Sequence, residues 1–138
     1  MDPTLPPPSD RPSVLRGFLR SLLRRSHARC ELCEEAVKDL EPWEVPPAAA
    51  EPELTRTVLV CPRCREGLAD PEADLGGWAF LQGSAWSDVP AVQVSAVRAL
   101  TRAASAGASW ARETLEGLYL PPDVEAWLDL PEEAQSRT

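Results

Sequence analysis

The stretch Cys30–Cys64, CELCEEAVKDLEPWEVPPAAAEPELTRTVLVCPRC, contains all four cysteines of this 138-residue chain. They form two CxxC pairs, 27 residues apart. Each pair can offer two thiolates from one tight turn, and two such turns complete a tetrahedron around Zn²⁺ with sulfur at ~2.3 Å. The long spacer reads as a hairpin. DLEPWEV (39–45) and LTRTVLV (54–60) are strand-like, and PPAAAEPE (46–53) between them cannot be regular structure. A hairpin returns the chain to its origin, which brings Cys61 and Cys64 beside Cys30 and Cys33. The alternatives are disulfides, which need an oxidising compartment, and a redox CxxC, which would be a single motif in a βαβ chain. Four thiolates leave no coordination position open, so the expected ion is one structural Zn²⁺ rather than a Lewis acid.

Outward from this stretch the pattern becomes helical. On the N-terminal side Val14, Leu15, Phe18, Leu19, Leu22 and Leu23 recur at helical spacing, with Arg16, Arg20 and Arg24 opposite. Arg25 falls on the apolar side and ends the pattern. MDPTLPPPSDRP (1–12) holds five prolines and reads as a disordered tail. After Cys64, REGLAD (65–70) is a short helix and DPEADLGG (70–77) a loop. SDVPAVQVSAVRALTRAAS (87–105) predicts a longer helix. Ser87 or Asp88 can cap it, Pro90 suits its first turn, and Val89, Val92, Ala96, Ala99, Leu100 and Ala103 form one apolar face. Gly107 ends that helix; SWARETLEGLYL (109–120) starts another before Pro121-Pro122, and DVEAWLDL (123–130) makes a last short turn.

The expected class is therefore α+β. A small treble-clef or zinc-ribbon module is preceded by an N-terminal helix and followed by a C-terminal helical segment. The chain divides into the tail 1–12, the helix plus Cys₄ module over 13–75, a helical segment over 76–130 packed on that module, and a polar tail over 131–138.

Charge is uneven. Formal net charge is -8, yet Arg11 to Cys30 carries six arginines and no acid, and from Glu31 onward there are twenty acids against eight bases. An acidic majority argues against coating nucleic acid, and one basic helix is the exception. The start of the chain lacks the basic and then apolar pattern of a secretory signal, so the expected compartment is the cytoplasm.

Knuckle, hairpin, then a CxxC opening a helix resembles the treble clef that HNH nucleases also use, over Arg29 to Leu68. Those enzymes carry a general-base histidine on the first strand of the hairpin. The matching position here is Glu44, preceded by Trp43; Arg65 follows the second CxxC, and the chain contains no asparagine. His27 precedes the first cysteine pair and by position does not replace the base. The resemblance implies the scaffold without the nuclease chemistry.

A second resemblance covers residues 28 to 128. CELC, WEVPP, LVCPRC, WAFLQGSAWSDVPAVQV, SWARETLEGLYL and EAWL, in that order, are similar to the PhnA (alkylphosphonate-utilisation operon) family of small bacterial zinc-ribbon proteins. The resemblance implies Cys30, Cys33, Cys61 and Cys64 as zinc ligands. It departs at Gly77, where many members have His before Trp78, at Ala85, which replaces a Met before Trp86, and in lacking the small β-barrel domain that usually follows. The family name is shared with an unrelated phosphonoacetate hydrolase whose two-metal site needs several Asp and His ligands. One histidine rules that chemistry out here.

Trp110 and Trp127 share helix faces with leucines and are expected in the core, while Trp78 and Trp86 stand open between core and surface. The loop from Trp78 to Pro90 places Trp78, Phe80 and Trp86 where not all can be buried, which makes it the expected interaction surface. Gln93, on an apolar helix, is expected as a capped or exposed amide. For the basic helix the expectation is a leucine face on the zinc module and arginines facing water or the acidic remainder of the chain. Contact with phosphates or a membrane surface through Arg16 and Arg20 is the alternative. With no nucleophile and base in sequence proximity, no Gly-rich phosphate loop and no open metal position, the chain reads as a non-enzyme. The expected partner is another protein, and nucleic acid is the alternative.

Overall fold

The computed structural model describes residues 10–132. The expected disordered tail lies outside them as far as residue 9, and the polar tail does so from residue 133 onward. The leucine–arginine segment forms two short helices, α1 (Arg11–Gly17) and α2 (Leu19–Ser26). The first begins two residues before the expected Ser13, with Pro12 in its first turn, where a missing N–H costs nothing. Gly17 weakens the helix at the junction, and the Phe18 N–H donates to the Leu15 carbonyl at 3.0 Å, tightening the chain there. Leu22 is fully buried, and Phe18, Leu19 and Leu23 pack beside it. The leucine face therefore lies on the core as expected, while Arg16, Arg20 and Arg24 are exposed.

The hairpin is present but shorter than the apolar runs suggest. Strands β1 (Glu41–Glu44) and β2 (Thr57–Val60) pair antiparallel, with Glu41 opposite Val60 and Glu44 opposite Thr57. Leu54–Arg56, read as strand from sequence, is a 3₁₀ turn instead. The Arg56 N–H donates to the Glu53 carbonyl and the Thr57 hydroxyl to the same oxygen, which closes the turn before pairing can start. All four β2 residues are buried. Helix α3 (Pro62–Ala69) follows at once, so the second CxxC lies at its start.

Beyond α3 come α4 (Leu81–Ser84), α5 (Pro90–Ser105), α6 (Ser109–Glu116) and α7 (Pro122–Leu128). The short α4 interrupts the segment expected to be loop. Helix α5 was expected to bury one face. It is instead buried on nearly all sides from Ala91 to Val97, and again at Ala99, Leu100 and Ala103, because α4, α6, α7, β2 and the 3₁₀ turn all contact it. Its alanines let those neighbours approach. Gly107 ends α5 as expected: with φ at +107° it occupies the left-handed region, and the Ala108 N–H reaches back to the Ala103 carbonyl at 3.0 Å. Among the described residues no helix is long and apolar enough to cross a membrane.

One buried cluster runs from Leu22 through the cysteines to Val124. The helical segment and the cysteine module share it. Arg102 reinforces the join by donating to the Gly67 carbonyl at 2.9 Å and to the Asp70 carbonyl at the end of α3. Trp78 belongs to this core at 5% exposure, which corrects its assignment to the interaction surface. Its ring lies directly over Gly67, where a β-carbon would penetrate the six-membered ring. The absence of a side chain at 67 is what lets Trp78 be buried.

Gly67→Ala is accordingly expected to destabilise the protein by about 1–3 kcal/mol through overpacking. Chemical denaturation and the near-ultraviolet signal of Trp78 would measure it. Unchanged values in both would mean the ring has room that this packing denies.

Candidate metal centre

The two knuckles are built differently. At the first, the Glu34 N–H donates to the Cys30 carbonyl at 2.8 Å, the Cys30 N–H to the Glu35 carbonyl at 2.9 Å, and the Cys33 N–H to the Cys30 sulfur at 3.4 Å. Left-handed backbone brackets this turn: His27 and Ala28 end α2 with φ of 59° and 60°, and Glu34 follows Cys33 with φ of 68°, values that side-chain-bearing residues adopt at a cost. At the second knuckle Cys61 is extended and Pro62 starts α3, so Cys64 faces back toward Cys61 after one helical turn, with the Arg65 N–H on the Cys61 carbonyl at 2.9 Å.

What brings the knuckles together is Glu31, which sequence reasoning passed over. Its N–H donates to the Leu59 carbonyl at 2.8 Å, and its carboxylate accepts the Leu59 N–H at 2.9 Å. The first CxxC is thereby fastened to β2, two residues before Cys61. The carboxylate needs a counter-charge at this depth, and Arg25 supplies it from α2 with two bonds of 2.7 and 2.8 Å, while also donating to the Thr57 carbonyl at 2.9 Å. The residue that broke the amphipathic pattern is thus a pin between the N-terminal helices and the hairpin. An arginine on a leucine face was the signal available in the sequence.

As a result the sulfur atoms of Cys30, Cys33, Cys61 and Cys64 all lie within 4.8 Å of one another. A tetrahedral site with metal–sulfur bonds of ~2.3 Å has sulfur–sulfur edges of about 3.8 Å. The Cys33–Cys61 edge is 3.8 Å. The donor set fits a thiophilic tetrahedral ion, and with four protein ligands no position remains for water. Cys30, Cys61 and Cys64 are buried and Cys33 is partly exposed.

Four thiols so close cannot all ionise without a cation. The neighbouring Cys64 thiol draws the Cys30 group down to about 4. Burial, with the negative charge of Cys30 close by, pushes Cys33 up to about 12, and the bond to Cys30 together with burial pushes Cys64 upward as well.

The other residues singled out from sequence have these places. Glu44 is in a bidentate pair with Arg11 at 2.7 and 2.9 Å. Arg65 faces Glu41 at 3.6 Å, and Arg63 sits over the Phe80 and Trp78 rings at 5.4 and 5.9 Å. Phe80 is half-buried, in a tilted contact with Trp78 at 5.1 Å. Trp86 is 56% exposed. Trp110 and Trp127 pack against the core as expected, each spending its indole N–H on a backbone carbonyl, Gly76 and Pro46 respectively. Gln93 is buried, not exposed, and is satisfied by donating to the Ala85 carbonyl at 2.8 Å.

Metal loading must displace the protons of Cys33 and Cys64, whose thiol pKa values are pushed up, while that of Cys30 is drawn down. Competition by protons then makes affinity rise with pH. Between about pH 6 and 8 the logarithm of the zinc association constant, followed with a competing chelator, is expected to climb with a slope of roughly two or more. A slope near zero would contradict the assigned proton distribution.

No family model, curated protein or solved structure matches this chain.

Proposed function

We propose that this is a non-catalytic, PhnA-like zinc protein in which one Zn²⁺ on Cys30, Cys33, Cys61 and Cys64 staples a treble-clef module, and whose role is to present a surface to another protein. The observation that carries the reading is the closeness of four sulfurs delivered from both ends of one hairpin, with a thiolate set that suits Zn²⁺ and closes its coordination sphere. An ion so enclosed organises a fold and activates nothing. Glu44, tied to Arg11, supports the non-catalytic part, because a carboxylate in a bidentate pair is a poor base. Zinc thiolates also suit the reducing conditions of the cytoplasm. The link to phosphonate metabolism rests on the family resemblance alone.

One observation favours a second reading, nucleic-acid binding. Of the six arginines between Arg11 and Arg29, Arg11 and Arg25 are paired with carboxylates, while Arg16, Arg20 and Arg24 lie exposed at four-residue spacing with no acid within ion-pair distance among the described residues. Such a stripe complements phosphates.

Native mass spectrometry of reduced protein should find one zinc per chain, lost in Cys33→Ser and Cys61→Ser. Metal-free wild type, or two disulfides in protein isolated from the cytosol, would overturn the zinc assignment. For the partner, binding to single- and double-stranded nucleic acid is compared across salt for wild type and Arg16→Glu/Arg20→Glu. The protein-partner reading predicts no salt-steep binding, together with a specific cross-linked partner whose capture weakens in Trp86→Ala. Tight binding that falls steeply with salt and disappears in the double variant would establish the nucleic-acid reading instead.

A further inference from the structure

Trp86 and Tyr119, at 56% and 70% exposure, are two of the four large hydrophobic side chains that remain exposed among the described residues. They are 33 positions apart, yet both line one groove of about 360 Å³ at the N-terminal end of α5. Trp86 follows α4, and Tyr119 stands in the turn between α6 and α7. Pro90 and Pro121 contribute further lining, and so do the carboxylates of Asp88 and Asp123; no lysine, arginine or histidine does.

The groove is preformed. The Trp86 N–H donates to the Gly83 carbonyl at 3.1 Å, the Ser87 N–H to the Ser84 carbonyl at 3.0 Å, and the Val89 N–H to the Ser87 hydroxyl at 3.1 Å. Beneath them the buried Gln93 side chain holds the Ala85 carbonyl. Across the groove the Glu125 N–H donates to the Pro121 carbonyl at 3.0 Å as α7 begins. Aromatic rings on a backbone so fixed lose little entropy on capturing a ligand.

We propose that the Trp86–Tyr119 groove docks a proline-rich segment of another protein in the polyproline II conformation, with a lysine or arginine beside the prolines. This inference rests on the protein-partner reading and names the partner's chemistry. Polyproline II segments are stiff before binding and pack their rings on exposed aromatic side chains, which a groove lined by both Trp86 and Tyr119 offers. The two carboxylates, with no cation lining the groove, select a basic flank over an acidic one. A single methylated ammonium is a poorer fit. It needs rings converging on one point, whereas the one aromatic pair in contact among the described residues is Trp78–Phe80, away from this groove.

The test titrates zinc-loaded, reduced protein with four synthetic peptides: proline-rich with an arginine flank, proline-rich with a glutamate flank, a proline-free scramble of the first at equal charge, and a trimethyllysine peptide. Calorimetry and the indole N–H resonance of Trp86 report binding. The arginine-flanked peptide should bind, and both the glutamate-flanked and the proline-free peptides about tenfold or more weaker. Trp86→Ala and Tyr119→Ala should each weaken it by about tenfold with an unchanged melting curve, since neither ring is in the core. Asp88→Asn/Asp123→Asn should remove the preference for the basic flank. No saturable binding, equal binding of the scramble, preference for trimethyllysine, or indifference to both aromatic substitutions would each overturn the proposal. Should Trp86→Ala destabilise the fold, Tyr119→Ala and the Asp pair still decide. If the peptides fail while the cross-linked partner is still captured, the docking chemistry is wrong and the interaction reading survives; loss of both removes the interaction reading too.

Discussion

Everything in this fold depends on closing the ends of one hairpin. A two-stranded ribbon of four residues per strand is at best marginal in water, because it has too little paired backbone and too little apolar area to offset the entropy of ordering its loop. Here the ribbon carries a cysteine pair at each end, and closing the strands delivers four sulfurs to within 4.8 Å. A cation between them would convert a weak local pairing into a cross-link whose apparent binding energy, ~10–16 kcal/mol in small zinc modules, becomes folding energy. The same closeness makes the cluster unfavourable as four free thiolates, as the opposed displacements of Cys30 and Cys33 express.

The protein surrounds that constraint with ties to its other elements. Glu31 fastens the first knuckle to β2, and Arg25 balances its charge from α2. Arg102 holds the end of α3 against α5, and Gly67 makes space for Trp78 between them. Each of these buries a charge or a large ring only where a backbone carbonyl, a carboxylate or a missing side chain receives it. Helix α5 is contacted by β2 and by α4, α6 and α7, so the cysteine module and the C-terminal helices meet on it, with the exposed groove at its N-terminal end.

Much of this was legible before any coordinates. The CxxC pairs, the β-branched run ending at Val60 and the prolines of the intervening loop specify a hairpin, because each acts locally. Pro90, Gly107 and Pro121-Pro122 bound helices for the same reason. Long-range polar contacts were not legible: Glu31 reads as an ordinary acid inside a knuckle, and its partners, Leu59 and Arg25, become neighbours only after folding. Trp78 was open to either reading, since its burial depends on Gly67, eleven positions away. The extent of α5 burial was missed because alanine and serine carry a weak periodic signal, and the number of packed neighbours depends on topology. Where the four cysteines meet, sequence and structure agree, and zinc as an ion they could hold is an argument from donor chemistry.

The claim at the centre is that a metal on these four sulfurs holds the hairpin closed. Amide hydrogen exchange of reduced protein, with zinc and after its removal by a chelator, tests it at Glu31 and Leu59, the two residues that join the knuckles. Strong protection of both amides is expected in the zinc form and rates close to those of an unfolded chain without it, with protection returning when zinc is restored. Equal protection in the two states would contradict it, leaving a fold held by its apolar core and side-chain ties alone.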